Sequence, residues 1–158
     1  PDRAAEIQSL INKIKETKQC LVHGDYSPKN ILVSENEIKI VDCEVAWYGD
    51  ACFDVAFMLH HLLLKALHFN NSTFSELGKS FLDTYLATLP TEQRSYLSLS
   101  HLTRLTLYLM LARLDGKSPV EYLDQEERNQ IRHKVFGYLN SNLSDPYALI
   151  SGVVKNEN

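Results

Sequence analysis

The residues with the clearest chemical potential in this chain are His23, Gly24, Asp25, Asn30 and Asp42, all within the stretch LVHGDYSPKNILVSENEIKIVDCE from Leu21 to Glu44. Asp25 offers a carboxylate that can accept a proton from an attacking hydroxyl. Asn30 and Asp42 offer an amide oxygen and a second carboxylate. Magnesium prefers such oxygen ligands, keeps several waters, and commonly takes one or two protein groups besides substrate phosphates. One proton acceptor beside a two-ligand cation site is the set that phosphoryl transfer from a magnesium nucleotide requires.

These groups need an element that brings positions 30 and 42 together. Ile31-Leu32-Val33 and Ile38-Lys39-Ile40-Val41 are runs rich in β-branched residues, separated by Ser34-Glu35-Asn36-Glu37. Two apolar runs around a short polar turn predict a β-hairpin, and Asn36 tolerates the left-handed conformation that such turns need. With the turn centred on Glu35-Asn36, Val33 faces Ile38, Ile31 faces Ile40 and Asn30 faces Val41. Asp42 then lies beside Asn30 at the open end, and a slip of one residue would keep them neighbours.

H-G-D-x-x-x-x-N, a hairpin and I-V-D-x-E together resemble the catalytic loop and metal-binding segment of the aminoglycoside phosphotransferase and choline kinase family, which shares its fold with protein kinases. Gly49-Asp50 followed by Asp54-Val55-Ala56 resembles that family's next motif, and Ala112 to Pro119 resembles a stretch found in bacterial members. The resemblance implies a mainly α (α+β) fold: the helical C-terminal lobe of a protein-kinase-like enzyme, with one small β-hairpin near residues 30–42. It also implies roles. Asp25 is the catalytic base or hydroxyl-orienting group, and Asn30 and Asp42 hold Mg2+ against the phosphates of ATP. His23 supports the catalytic loop, and Asp54 anchors the loop's backbone from the start of a buried helix. Glu44 either holds a metal-bound water or is a plain surface carboxylate. Lys29, four residues after Asp25 where protein kinases place a lysine two residues after, is expected to be solvated.

The acceptor implied is a small-molecule hydroxyl, as in an aminoglycoside, choline or a sugar. Only Cys43 to Phe53 separates Asp42 from Asp54, and no A-P-E follows, so little chain remains for the activation segment on which a protein kinase docks a peptide. A glycine-rich loop and a strand lysine, which such an enzyme needs over the nucleotide, do not precede His23. The glycines are scattered and form no G-x-G-x-x-G, and the first residue is Pro1. The expectation is one domain over residues 1–158, lacking an N-terminal nucleotide-binding lobe, expressed as a fragment or encoded by a truncated gene and inactive alone.

Composition fits one globular domain: 44% hydrophobic and 23% charged, with a net charge of −4. That charge gives no basic footprint for nucleic acid. Cys20, Cys43 and Cys52 form no C-x-x-C pair and are expected to be buried, reduced thiols of a cytoplasmic protein. No signal peptide is visible in the polar N-terminus. Apolar spacing predicts helices over 4–18, with Ile7, Leu10, Ile11 and Ile14 facing the core, and over 50–69, 73–89, 91–114 and 119–140. The segment from Pro1 to Val22 reads as one helix. A short helix is expected after Asp145-Pro146, before a frayed tail from Lys155 to Asn158. The apolar 50–69 segment contains Asp54, His60, His61 and Lys65, and a central Asp or Lys costs about 2.5–3.5 kcal/mol in a bilayer. A helix buried in protein is therefore expected, not a membrane span.

His60 and His61 are neighbours on that helix, point in different directions and are expected to be core or interface residues. Two rival functions stand beside this one. A non-catalytic kinase-like module for partner binding would leave the polar set idle. A metal-dependent phosphohydrolase built on His23-Gly24-Asp25 would need further His/Asp pairs, and His60, His61 and His101 have no matching aspartates in the sequence.

Overall fold

A computed structural model describes residues 3–154 and shows a predominantly helical lobe carrying two small antiparallel strand pairs. Helix α1 spans Arg3–Glu16, so the helix expected to Val22 ends earlier, and Cys20–Val22 forms strand β1. β2 is Ile31–Val33, β3 is Ile38–Ile40 and β4 is Trp47–Gly49. The helices that follow are α2, Cys52–His68; α3, Ser72–Thr88; α4, Leu99–Asp115; α5, Gln125–Asn140; and α6, Pro146–Val153.

The hairpin has the predicted register, with Ile31 opposite Ile40 and Val33 opposite Ile38. Its turn is closed by Ser34, whose backbone N–H donates to the Glu37 carbonyl at 2.9 Å and whose Oγ accepts from the Glu37 N–H at 3.2 Å. The second pair joins β1 to β4, with Val22 opposite Trp47 and Cys20 opposite Gly49. Three-residue strands are too short to carry an alternation pattern, so long-range pairing alone makes β1 a strand.

The core lies on α2. Val55, Ala56, Leu59, Leu63 and Leu64 are almost fully buried, and the helix packs most extensively on α4 and α3. Apolar residues around most of its circumference are what a central helix requires. No described helix is long and apolar enough to cross a membrane. By contrast, α1 has no fully buried residue. Leu10 and Ile14 pack against the core, whereas Ile7 and Ile11 are exposed, contrary to expectation. The helix lies on the outer surface, beside a groove shared with Phe53, Leu105 and Tyr108.

Two expected helix starts are corrected. Residues Thr91–Tyr96 form a separate 3-10 turn, and α4 begins only after Ser98, whose side chain accepts from the His101 N–H. Pro119 does not open α5. Asp124 does, in a reciprocal capping box with Glu127. Thr91, Ser98, Ser118 and Asp124 are all good N-caps by type, and packing selected among them. α3 starts one residue earlier than expected and is capped by Asn71. Among the thiols, Cys52 is buried, Cys20 is partly buried and Cys43 is exposed, which corrects the expectation for Cys43. The tail from Lys155 to Asn158 lies outside the described residues.

Candidate active site

The loop carrying Asp25 leaves β1 and turns sharply at Gly24, where φ is +87°. A Cβ there would meet both the Trp47 ring and the Val45 carbonyl oxygen at 2.8 Å, so the turn requires glycine on conformational and steric grounds. From the first turn of α2, the Asp54 carboxylate accepts the His23 N–H at 2.7 Å and the Gly24 N–H at 3.0 Å. The loop is thereby bolted to the central helix. His23 adds a second tie: its Nδ1 faces the Asp25 N–H at 3.3 Å, leaving Nε2 to donate to the Val41 carbonyl at 3.0 Å. The residue before Asp42 is thus connected directly to His23.

Asn30 is buried at the end of the 3-10 turn Pro28–Asn30. Its Nδ2 donates to the Asp25 carbonyl at 2.9 Å and to Asp25 Oδ2 at 3.0 Å. Both partners are acceptors only, so the amide orientation is determined and Oδ1 faces away from Asp25. Its backbone carbonyl accepts the Val41 N–H at 3.0 Å, placing Asp42 at the open end of the hairpin. Asp42 has left-handed backbone (φ 67°) and is exposed. No described residue hydrogen-bonds or pairs with its carboxylate. An amide oxygen and a free carboxylate, one residue beyond a shared backbone hydrogen bond, form a donor set that suits a hard divalent cation. Glu44 is exposed in the following turn. Asp25 and Asn30 therefore touch, Asp42 joins them through the backbone, and Glu44 makes no hydrogen bond or ion pair with the other three.

Lys29 is where expectation and structure part. Its side chain is largely exposed, yet Nζ lies 2.8 Å from Asp25 Oδ2. Partial burial works to raise the Asp25 pKa, but hydrogen bonds from Lys29 and Asn30, with the Lys29 charge, outweigh it and hold the carboxyl below its ordinary value. Asp25 is therefore ionised at neutral pH and better suited to orient a hydroxyl than to hold its proton for long. Asp25 and Lys29 do not share an α-helix, so their spacing of four gave no local signal for this pair.

Asp25 opens onto a cleft of about 830 Å³ whose walls include Lys29, Phe57, His61, Arg113 and Tyr122. The adjacent histidines divide here. His60 is fully buried, as expected of a core residue, whereas His61 is only partly buried and lines the cleft. Burial first, then the Arg113 charge, lowers the His61 pKa to about 4, leaving it neutral near pH 7. Arg113 was visible in the sequence only as part of the Ala112 to Pro119 stretch, to which no chemistry could be attached.

One further cluster lies away from this cleft. His101 does have an aspartate partner, contrary to expectation: its Nε2 donates to Asp50 Oδ2 at 2.6 Å, and both residues are buried. The other Asp50 oxygen accepts the Cys52 N–H at 2.8 Å. Burial raises the Cys52 thiol pKa to about 12, so it remains protonated. His101 Nε2 and both Asp50 oxygens are already engaged, and the group is a tie between the starts of α2 and α4.

Comparison with known proteins gives the chain a family likeness. The model of the phosphotransferase enzyme family matches residues 1–99 of the 158-residue chain. Among individual proteins, the chain is similar to the methylthioribose kinase of Bacillus pumilus, with 41% identity over 69 residues, covering 44% of this chain and 17% of that protein. It is also similar to the methylthioribose kinase of Geobacillus thermodenitrificans, with 37% identity over 62 residues, covering 39% of this chain and 16% of that protein. The matched segments are thus about one sixth of the relatives' lengths.

Proposed function

Because the chain belongs to the phosphotransferase enzyme family, we propose that it supplies the catalytic loop and metal-binding edge of an ATP-dependent small-molecule kinase. The observation that carries this is the Asn30 side chain. Its NH2 group is committed to Asp25, which leaves its oxygen for a cation, and its backbone carbonyl accepts the N–H of Val41, the neighbour of Asp42, so one residue ties the hydroxyl-handling group to the end of the hairpin that carries Asp42.

In the proposed reaction the acceptor oxygen attacks the γ-phosphorus of ATP, the bond from that phosphorus to the bridging oxygen breaks, and ADP leaves. The hydroxyl proton passes toward Asp25, which first aligns the oxygen by accepting its hydrogen bond. Asn30 and Asp42 are the residues that would hold Mg2+, which when bound neutralises charge on the phosphates. Lys29 and Asn30 fix the Asp25 carboxylate in one orientation. Asp54 and His23 keep the loop backbone rigid, so most of the contribution is positioning and fixed charge.

The reading also accounts for the exposed apolar hairpin. Leu32, Val33, Ile38 and Ile40 are each more than half exposed, which suits surface that a nucleotide-binding lobe would cover. A hydroxyl-bearing sugar is the first acceptor to try, given that the relatives are named methylthioribose kinases.

The test is ADP release by the enzyme assembled with its nucleotide-binding lobe, across methylthioribose, aminoglycosides, choline and simple sugars and hydroxy acids. We expect acceptor-dependent ADP release. Asp25→Asn should lower kcat by about 10²–10⁴ with nearly unchanged ATP affinity. Binding of partners with no acceptor-dependent turnover would instead favour a non-catalytic module.

A further inference from the structure

Arg113 sits on the cleft wall opposite ordinary expectations for a guanidinium. Its side chain makes no hydrogen bond or ion pair with any described residue, and its Nε is buried without an acceptor. A buried N–H of a charged group without a partner is costly, and structures nearly always provide one. The nearest polar neighbours cannot serve as its counter-ion: His60 and His61 feel its charge but are neutral, and Tyr122 carries a phenol whose pKa burial raises.

The other charges facing the cleft do not alter this. Asp25 is already paired with Lys29 at 2.8 Å. Lys117 and Glu121 line the outer rim, and both are exposed to solvent, where screening leaves them little influence. Lys65 lies 5.5 Å from the Tyr122 ring centroid and adds positive charge near the wall. The one ionic demand left unmet is therefore for an anion, on the wall of the cleft onto which Asp25 opens.

We infer that the acceptor is a hydroxyl compound that also carries a carboxylate or similar anionic group, and that Arg113 binds that group while Asp25 aligns the hydroxyl. This rests on the kinase reading above and narrows it: an unpaired guanidinium repels polycations such as aminoglycosides, even though the chain as a whole is acidic at −4. A planar guanidinium can meet a carboxylate through two parallel N–H···O bonds, which gives orientation as well as attraction.

Three six-carbon polyhydroxy compounds differing in charge provide the test: gluconate, glucose and glucosamine. With the assembled enzyme and MgATP, kcat/KM measured by ADP release should rank gluconate first by about tenfold or more, because charged hydrogen bonds of this kind are worth at least that factor. Arg113→Gln should bring gluconate and glucose to within about threefold, chiefly through KM for gluconate, and Arg113→Lys should keep part of the preference. A glucose, methylthioribose or glucosamine preference would overturn the inference while leaving the kinase reading intact. So would an Arg113→Gln variant that loses kcat equally on all acceptors, because the arginine would then serve the transferred phosphoryl group. If no acceptor supports ADP release, the kinase reading fails separately. NMR of this chain still decides the anion site in that case: gluconate should shift the Arg113 Nε–H and His61 ring signals, glucosamine should not, and the absence of any gluconate shift overturns the inference.

Discussion

Asp54 shows how one side chain can organise a site it need not touch. Its two carboxylate oxygens hold the two consecutive N–H groups of His23 and Gly24 at 2.7 and 3.0 Å. Asp54→Ala would leave both amides in a partly buried loop without acceptors, at a cost of about 1–3 kcal/mol for each group. Urea denaturation of this chain should show that loss, and a variant within 0.5 kcal/mol of the parent (about the ordinary surface effect) would mean the anchor is dispensable. Lys29 acts on Asp25 differently, by lowering its pKa. In Lys29→Met the hydrogen bond and the charge both disappear, so the Asp25 carboxyl should titrate at a higher pH than in the parent. Carboxyl NMR checks the direction; no upward movement would show that Asn30 alone sets the value. At this scale the sequence displayed residue types and spacing, and so singled out Asp25, Asn30, Asp42 and Asp54 as candidates. It did not display the Lys29 ion pair, because an exposed lysine's partner depends on where the loop points it.

The elements were readable where a periodic pattern was long or a turn was unambiguous. The hairpin register followed from two β-branched runs and a four-residue polar turn, and the apolar α2 followed from its unbroken hydrophobic face. Helix starts were less readable. Several residues of good capping type stood near each start, and the one used depended on where the preceding segment could pack. Asp124, not Ser118, caps α5, with its side chain accepting the Glu127 N–H at 2.8 Å and Glu127 returning a bond at 2.9 Å. Asp124→Ala should therefore cost about 1 kcal/mol, measurable as a shift in the urea midpoint, whereas Ser118→Ala should cost almost nothing. Equal effects would move the helix start back to Pro119.

The lobe as a whole is held by α2 and α4, and their first turns are joined by the buried Asp50–His101 pair. Burial works to raise the Asp50 pKa, but hydrogen bonds from His101 and the Cys52 N–H prevail and lower it from the ordinary 3.8. A folded pKa below the unfolded one means that the unfolded state binds more protons between the two values. The contribution is thus fully present above the unfolded pKa and is lost as pH falls through the folded pKa. Asp50→Asn should be less stable than the parent at pH 7, with the gap narrowing below pH 4 (roughly the unfolded carboxyl value). Denaturation curves at several pH values check this, and a gap independent of pH would rule out the ionised Asp50 carboxylate as its source.

Composition, motif spacing and hydrophobic periodicity depend on neighbours along the chain, and from them the amino-acid order alone yielded the helical lobe, the hairpin and the candidate residues of the loop from His23 to Asn30. Contacts between distant segments made the rest. They paired β1 with β4, gave His101 an aspartate partner, separated His61 from His60 and set an unpaired Arg113 on the wall of the cleft that Asp25 opens onto. None of these has a local signal, because each depends on two surfaces meeting only after the chain has folded.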